Sequence, residues 1–322
     1  MFKSVLVLLL SIAFGSCGQI KSFSVKTESV NPRLIYFSKN NGLDWENASA
    51  GLPDSVSIGL GGIAVSESLL GIATKEYGVY VFDEKINEWY KLPASHQMIK
   101  DNVGALFFYK NGIFVGTQFG GVYYSDDMGK TWDLKNLGIT DNTIRRFEEI
   151  NEVLYVTTND GLYSYDNTQQ KWDLVYGKVG LQVNGVTEYK GDLYLATNQG
   201  VYKSDKNTKE WSLILPKHSV HNIASDETTL YAMTYNALLI SSLDGITWQS
   251  CQAGLPHNLY TFNVVRKDDK LFAGQWDGVY TKVNSRDSWS SSSKGLPVKF
   301  AATNLKMFKD MVVVSTAKSD RK

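Results

Sequence analysis

The sequence is poor in the residues that most often announce a function. Its 322 residues include two cysteines, four histidines and six arginines. Of the two cysteines, Cys17 lies in the N-terminal segment and Cys251 stands alone. No disulfide framework is available, and stability has to come from packing. Cys251 has no base beside it in sequence and reads as a small core residue. The charges cancel, 33 basic against 33 acidic with a pI near 6.9. Nothing in that balance points to a nucleic-acid partner or an anionic membrane surface. The apolar run Val5 to Phe14 is too short to span a bilayer. No amphipathic helical pattern follows it, and no Cys, His or carboxylate set has metal-ligand spacing. No cofactor or metal is expected.

What is present begins at the N-terminus. Met1-Phe2-Lys3 supplies a short positive segment before the apolar run, the pattern of an export signal. The run ends in Phe14-Gly15-Ser16-Cys17, which resembles the lipobox of bacterial lipoproteins, with Phe14 where an aliphatic residue is usual. The resemblance implies cleavage and acylation at Cys17, and a cell-envelope location on the periplasmic side of the outer membrane or at the cell surface. Residues 1–17 are thus read as a lipoprotein-type signal peptide and 18–32, polar and patternless, as a tether. Residues 33–322 are read as the folded domain.

A repeat runs through that domain. Seven of the eight tryptophans fall at Trp45, Trp89, Trp132, Trp172, Trp211, Trp248 and Trp289, a period of about 40 residues that fits propeller blades. Each unit repeats one grammar, as in LYLATNQGVYKSDKNTKEW from Leu193 to Trp211. Alternating apolar runs are bounded by Gly and Asn turns, the signature of hairpins. With one further strand before it, each unit holds four strands. The first unit, from Leu34, has only the last two strands of a blade, and the C-terminal unit, ending after Thr316, has only the first two. Joined, they close a ring and remove exposed sheet edges. The expectation is an all-β, seven-bladed propeller closed by a composite blade.

The most patterned stretch, SDDMGKTW, lies between the third and fourth strands of its unit. It resembles the BNR or Asp-box motif at Ser125, Asp127, Gly129, Thr131 and Trp132. Copies in FSKNNGLDW and SSLDGITW are degenerate; the second keeps Ser241, Gly245, Thr247 and Trp248 with Leu243 in place of Asp. The motif is shared by sialidases, sortilin-type receptors and photosystem II assembly-factor-like propellers. The GLP segments at Gly51, Gly254 and Gly295 also resemble the periplasmic propellers of two-component regulators. A carboxylate and a hydroxyl on a turn can bond its N–H groups, and Gly supplies positive φ. The motif is therefore read as architecture, and the resemblance implies that it lies away from the functional face.

That face is expected where the fourth strand hands over to the next first strand, together with the turns between strands two and three. All four histidines, His96, His218, His221 and His257, fall in the handover segments, and the turns carry Tyr77, Phe119, Asp160, Asn198, Tyr235, Trp276 and Asp277. From these, Tyr77, His96, Phe119, His218, His221, Tyr235, His257 and Trp276 are the candidate binding residues. The sialidase resemblance also implies an alternative, a glycoside hydrolase or lyase. A sialidase needs three arginines on one face, and of Arg33, Arg145, Arg146, Arg266, Arg286 and Arg321 only Arg145 or Arg146 starts an inner strand. Asp160 and Asp277 are the candidates for an acid pair on different blades. The residues favour a non-catalytic module binding a protein or glycan.

Overall fold

A computed structural model describes residues 33–283 and 288–318. Cys17, Arg286 and Arg321, and with them the proposed signal, acylation site and tether, lie outside the described residues. The described residues form 28 strands in seven four-stranded antiparallel blades. In chain order the inner strands of blades 1 to 6 are Ile58–Val65, Val103–Tyr109, Ile144–Ile150, Val183–Tyr189, Val220–Ser225 and Thr261–Lys267. Blade 7 is composite: Asn304–Phe308 and Met311–Ser315 are its first two strands, Ile35–Ser38 and Glu46–Asn47 its last two. The closure is made by antiparallel pairing of Ile35 to Ser38 with Ser315 to Val312.

The core is a ring rather than a centre. Seven apolar clusters occur, one at each blade–blade interface, including one that joins blade 7 to blade 1 through Leu34, Phe37, Phe308, Val313, Ile72 and Trp89. Sheets covered on both faces need continuous apolar strands, and Leu70–Thr74 and Gly112–Thr117 are buried at every residue.

In five of the seven blades the repeating tryptophan locks the blade to the one before it. The indole N–H of Trp89 donates to Ala48 O (2.6 Å), of Trp132 to Pro93 O (2.9 Å), of Trp172 to Lys135 O (2.8 Å), of Trp289 to Cys251 O (2.8 Å) and of Trp45 to Ser292 O (2.6 Å). The GLP glycines complete this joint. Gly51, Gly254 and Gly295 have φ of 88°, 89° and 95°, and a Cβ there would sit 2.2 Å from the carbonyl oxygen of Trp89, Trp289 or Trp45. Only glycine fits both demands.

Polar side chains lock the blades again around the axial channel. Asn184, Asn222, Asn263 and Asn304 donate to Val220 O, Phe262 O, Thr303 O and Gly59 O of the next blade at 2.7–3.0 Å. Arg146 adds Nε to Asn184 O (3.1 Å) and Nη1 to Leu60 O (2.8 Å), which ties blade 3 to blades 4 and 1.

The structure departs from the sequence reading in three places. A short helix, His96–Lys100, capped by Ser95 and burying Met98, lies between blades 1 and 2, where only a loop was expected. One turn is too short to show a helical period. His221 belongs to the inner strand of blade 5 rather than to the connection before it. In blade 5 the turn bonds are made by Ser242 and Asp244: Gly245 N–H donates to Ser242 Oγ (2.9 Å), and Ile246 and Thr247 N–H to Asp244 Oδ1 (2.8 and 2.7 Å). The working Ser and Asp are thus one residue later than Ser241 and Leu243.

Candidate binding face

The turn carrying SDDMGKTW lies on the opposite side of the blades from the handover segments, and its polar groups serve one another. Ser125 Oγ accepts the Gly129 N–H (2.8 Å) and donates to Asp127 Oδ1 (2.9 Å). Asp127 accepts the Thr131 N–H (2.9 Å) and hydroxyl (2.8 Å), which hold its carboxyl below the usual range. Gly129 takes φ 81° against Pro93 O, the oxygen that also accepts the Trp132 indole N–H. These residues form a turn clasp.

The other side is built from the starts of the inner strands. In blades 2 to 6 the first strand carries a one-residue bulge there, as between Val220 and Asn222 against Thr234 and Met233, or between Thr261 and Asn263 against Gln275 and Gly274. A bulge re-aims the side chain of the extra residue. On adjacent blades 5 and 6 the extra residues are His221 and Phe262, and their rings meet at 6.4 Å. Tyr235, on a turn between strands two and three, lies edge-on to His221 at 5.2 Å, and Tyr260 lies at 5.9 Å. Trp276 packs edge-on against Phe262 at 5.0 Å. Tyr235 and Trp276 remain 47% and 46% exposed. Five aromatic rings therefore form one partly exposed cluster, with Arg145, held by Asn159 Oδ1 at 2.8 Å, and Arg146 close enough to interact with Tyr235.

His221 is a neutral ring in this cluster. Burial, reinforced by the Arg146 charge, pushes its pKa down to about 3. It cannot exchange protons near neutral pH and offers a hydrogen-bonding edge instead. Arg146, itself enclosed, is lowered to about 10 and stays charged.

The cluster stands over unmet hydrogen-bonding capacity. Six buried side-chain polar atoms lack a partner among the described residues, and five are at this end of blades 4 to 6: Asn184 Oδ1, His218 Nδ1, His221 Nε2, Gln275 Oε1 and Asp277 Oδ1. A buried unpaired group costs about 1–3 kcal/mol, so their concentration in one place asks for a reason.

Of the expected binding residues, the structure brings together His221, Tyr235 and Trp276, with His218 on the connection just before His221. Tyr77 packs on the blade 1 core, Phe119 projects 68% exposed from blade 2, and His96 and His257 are exposed without ring contacts to the cluster. Tyr260 and Phe262 were missed. A usable signal exists: the bulge residue lies thirteen positions before the residue ending the second strand, as in His221 to Thr234 and Phe262 to Gln275.

The catalytic alternatives meet a different geometry. Asp160 accepts from Thr158 Oγ1 (2.6 Å), the Tyr163 hydroxyl and Thr140, and Asp277 accepts from the Tyr280 hydroxyl (3.0 Å). Each carboxylate anchors its own turn. Arg266 is ion-paired with Asp226 (2.6 Å) toward the far end of the inner strands, away from Arg145 and Arg146. Among the described residues no three His, Cys, Asp or Glu side chains gather as metal ligands, and no helix is long and apolar enough to cross a membrane.

No protein-family model and no curated protein matches the sequence. Solved structures do resemble the fold. The extracellular domain of a hybrid two component system from B. thetaiotaomicron superposes with a TM-score of 0.66 at 16% identity, covering 89% of this chain and 41% of that one. This chain therefore spans about two fifths of that protein's length. YCF48 from Cyanidioschyzon merolae gives 0.64 at 13% identity over 84% of this chain and 96% of its own. YCF48 bound to D1 peptide gives 0.55 at 14% identity over 70% and 76%. At these identities the likeness concerns the β-propeller fold.

Proposed function

We propose that the protein is a non-catalytic binding module, exported and anchored through Cys17, whose blade 5 and 6 face captures a segment of a partner protein. The observation that carries this reading is the cluster of Tyr235, His221, Tyr260, Phe262 and Trp276, exposed at two rings and underlain by unpaired polar atoms. Large rigid rings supply contact area at low entropic cost, and such residues dominate binding energy at interfaces. A segment of polypeptide brings both apolar side chains and N–H donors, the complement of this surface. A propeller of similar fold, YCF48, is known bound to a peptide, which supports the class of partner. The signal-like N-terminus supports the envelope location.

Site-specific photo-cross-linking tests the reading. A benzophenone amino acid at position 276, with another variant carrying it at Leu243 on the opposite side, is irradiated in the native cell envelope. Discrete protein adducts from position 276 and none from 243 are expected. Equal labelling from both, or adducts with glycan alone, overturns the protein-segment reading.

A further inference from the structure

A second feature, independent of the rim, lies inside the channel. The cavity along the axis has a volume of about 220 Å³ and is walled by all seven inner strands. At ~30 Å³ per water, that is room for roughly seven waters or one small molecule. Strand register fixes which residues share a level. Arg146 pairs with Thr157 and Asn304 with Ser315, equivalent positions on blades 3 and 7, so Glu148 and Lys306, two residues further on, occupy one level. Three blades separate them one way round and two the other, which puts them on opposing sides of the channel. Phe107 and Val265 share this level and leave its wall largely apolar.

Neither charge has a partner among the described residues. Lys306 acts electrostatically on Glu148 across the channel, yet no ion pair joins them and neither side chain makes a hydrogen bond there. Burial pushes the Glu148 carboxyl upward, and Lys306 first and Arg146 second pull it back. Both side chains are half-buried on the channel wall, so each charge faces the contents of the cavity rather than a protein partner. The guanidinium of Arg146, on the same strand as Glu148, is held on Asn184 O and Leu60 O.

We propose that the channel is a binding site for a small zwitterion of the free amino acid class, its ammonium on Glu148 and its carboxylate on Lys306. A ligand with one charge meets only half of the arrangement; an α-amino acid meets both, with its side chain against Phe107 or Val265.

Titration calorimetry on the folded domain tests this, using a panel of free L-amino acids beside propionate and ethylammonium. Amino acids are expected to bind, and propionate and ethylammonium to bind at least about tenfold more weakly, since each forfeits a hydrogen bond to a charged group. Glu148→Gln and Lys306→Met should each weaken amino acid binding by about tenfold or more, and Leu243→Ala, on the exposed clasp side, should leave it unchanged. Using both channel variants covers the case in which one fails to fold. No amino acid binding, equal binding of propionate, or binding indifferent to both channel substitutions overturns the proposal. None of these outcomes bears on the rim, whose test is cross-linking.

Discussion

The two ends of the blades use similar residues in opposite ways. On the SDDMGKTW side, Ser125, Asp127, Gly129 and Thr131 direct their hydrogen bonds to one another, and the Trp132 indole N–H goes to Pro93 O. On the blade 5 and 6 rim, His221, Gln275 and Asp277 keep a buried polar atom without a partner among the described residues, and Trp276 packs edge-on against Phe262 while staying half in solvent. The difference separates architecture from recognition. A motif can be conspicuous because it is self-satisfied, and a surface can be inconspicuous in sequence and still leave its chemistry open.

The comparison breaks most sharply through two tryptophans. Trp172 is 1% exposed, packs among Phe114, Phe147 and Tyr165, and bonds Lys135 O. Trp172→Ala is expected to cost about 3–5 kcal/mol of unfolding free energy. Trp276→Ala, at a half-exposed rim position, is expected to cost under about 1 kcal/mol. Urea denaturation of both variants decides it. Comparable losses would mean that Trp276 is part of the scaffold and that the rim is not a separate functional surface.

A smaller effect sharpens the same contrast at the clasp. Ser125 is 2% exposed and accepts the Gly129 N–H. Ser125→Ala leaves that donor unmet and is expected to cost about 1–3 kcal/mol, read as a lower urea midpoint with an unchanged slope. Cross-linking from position 276 in the same background should be unaffected. Lost cross-linking in a variant that is still folded would join the two ends functionally and end their separation.

The fold was legible because its cues are long-range and redundant. Seven tryptophans in phase gave the blade period, and the incomplete grammar at Leu34 and Thr316 gave the composite closure seen in the pairing of Ile35 with Ser315. The face was legible in part, since turn positions such as Tyr235 and Trp276 follow directly from strand order. The rest turned on single residues. A one-residue bulge moves a side chain to another face, and no periodic pattern distinguishes Phe262 or His221 from their strand neighbours. The same sensitivity put the blade 5 clasp on Ser242 and Asp244 rather than one residue earlier. In blade 1 the step from Ile58 to Ile63 spans two residues of its partner strand, which carries Leu60 to Arg146.

The last prediction concerns the buried imidazole of the rim. His221 has its pKa depressed from 6.5 to about 3, so the folded protein holds it neutral while the unfolded chain takes up a proton below about 6.5. Its contribution to stability is fully present above that value and is lost progressively as pH falls toward 3. His221→Phe keeps a ring among Tyr235, Tyr260 and Phe262 and removes both the titration and the unpaired Nε2. At pH 7 the variant should be at least as stable as the parent, because an unmet polar atom is gone. At pH 4.5 its advantage should be larger, since only the parent carries the protonation cost. Carboxylates elsewhere titrate alike in both proteins, so the difference between their urea midpoints isolates the imidazole. A gap that stays constant between the two pH values would mean that His221 is solvated and charged in the folded protein. The rim would then be a hydrated surface with its polar groups already met by water, no different in kind from the clasp at the other end.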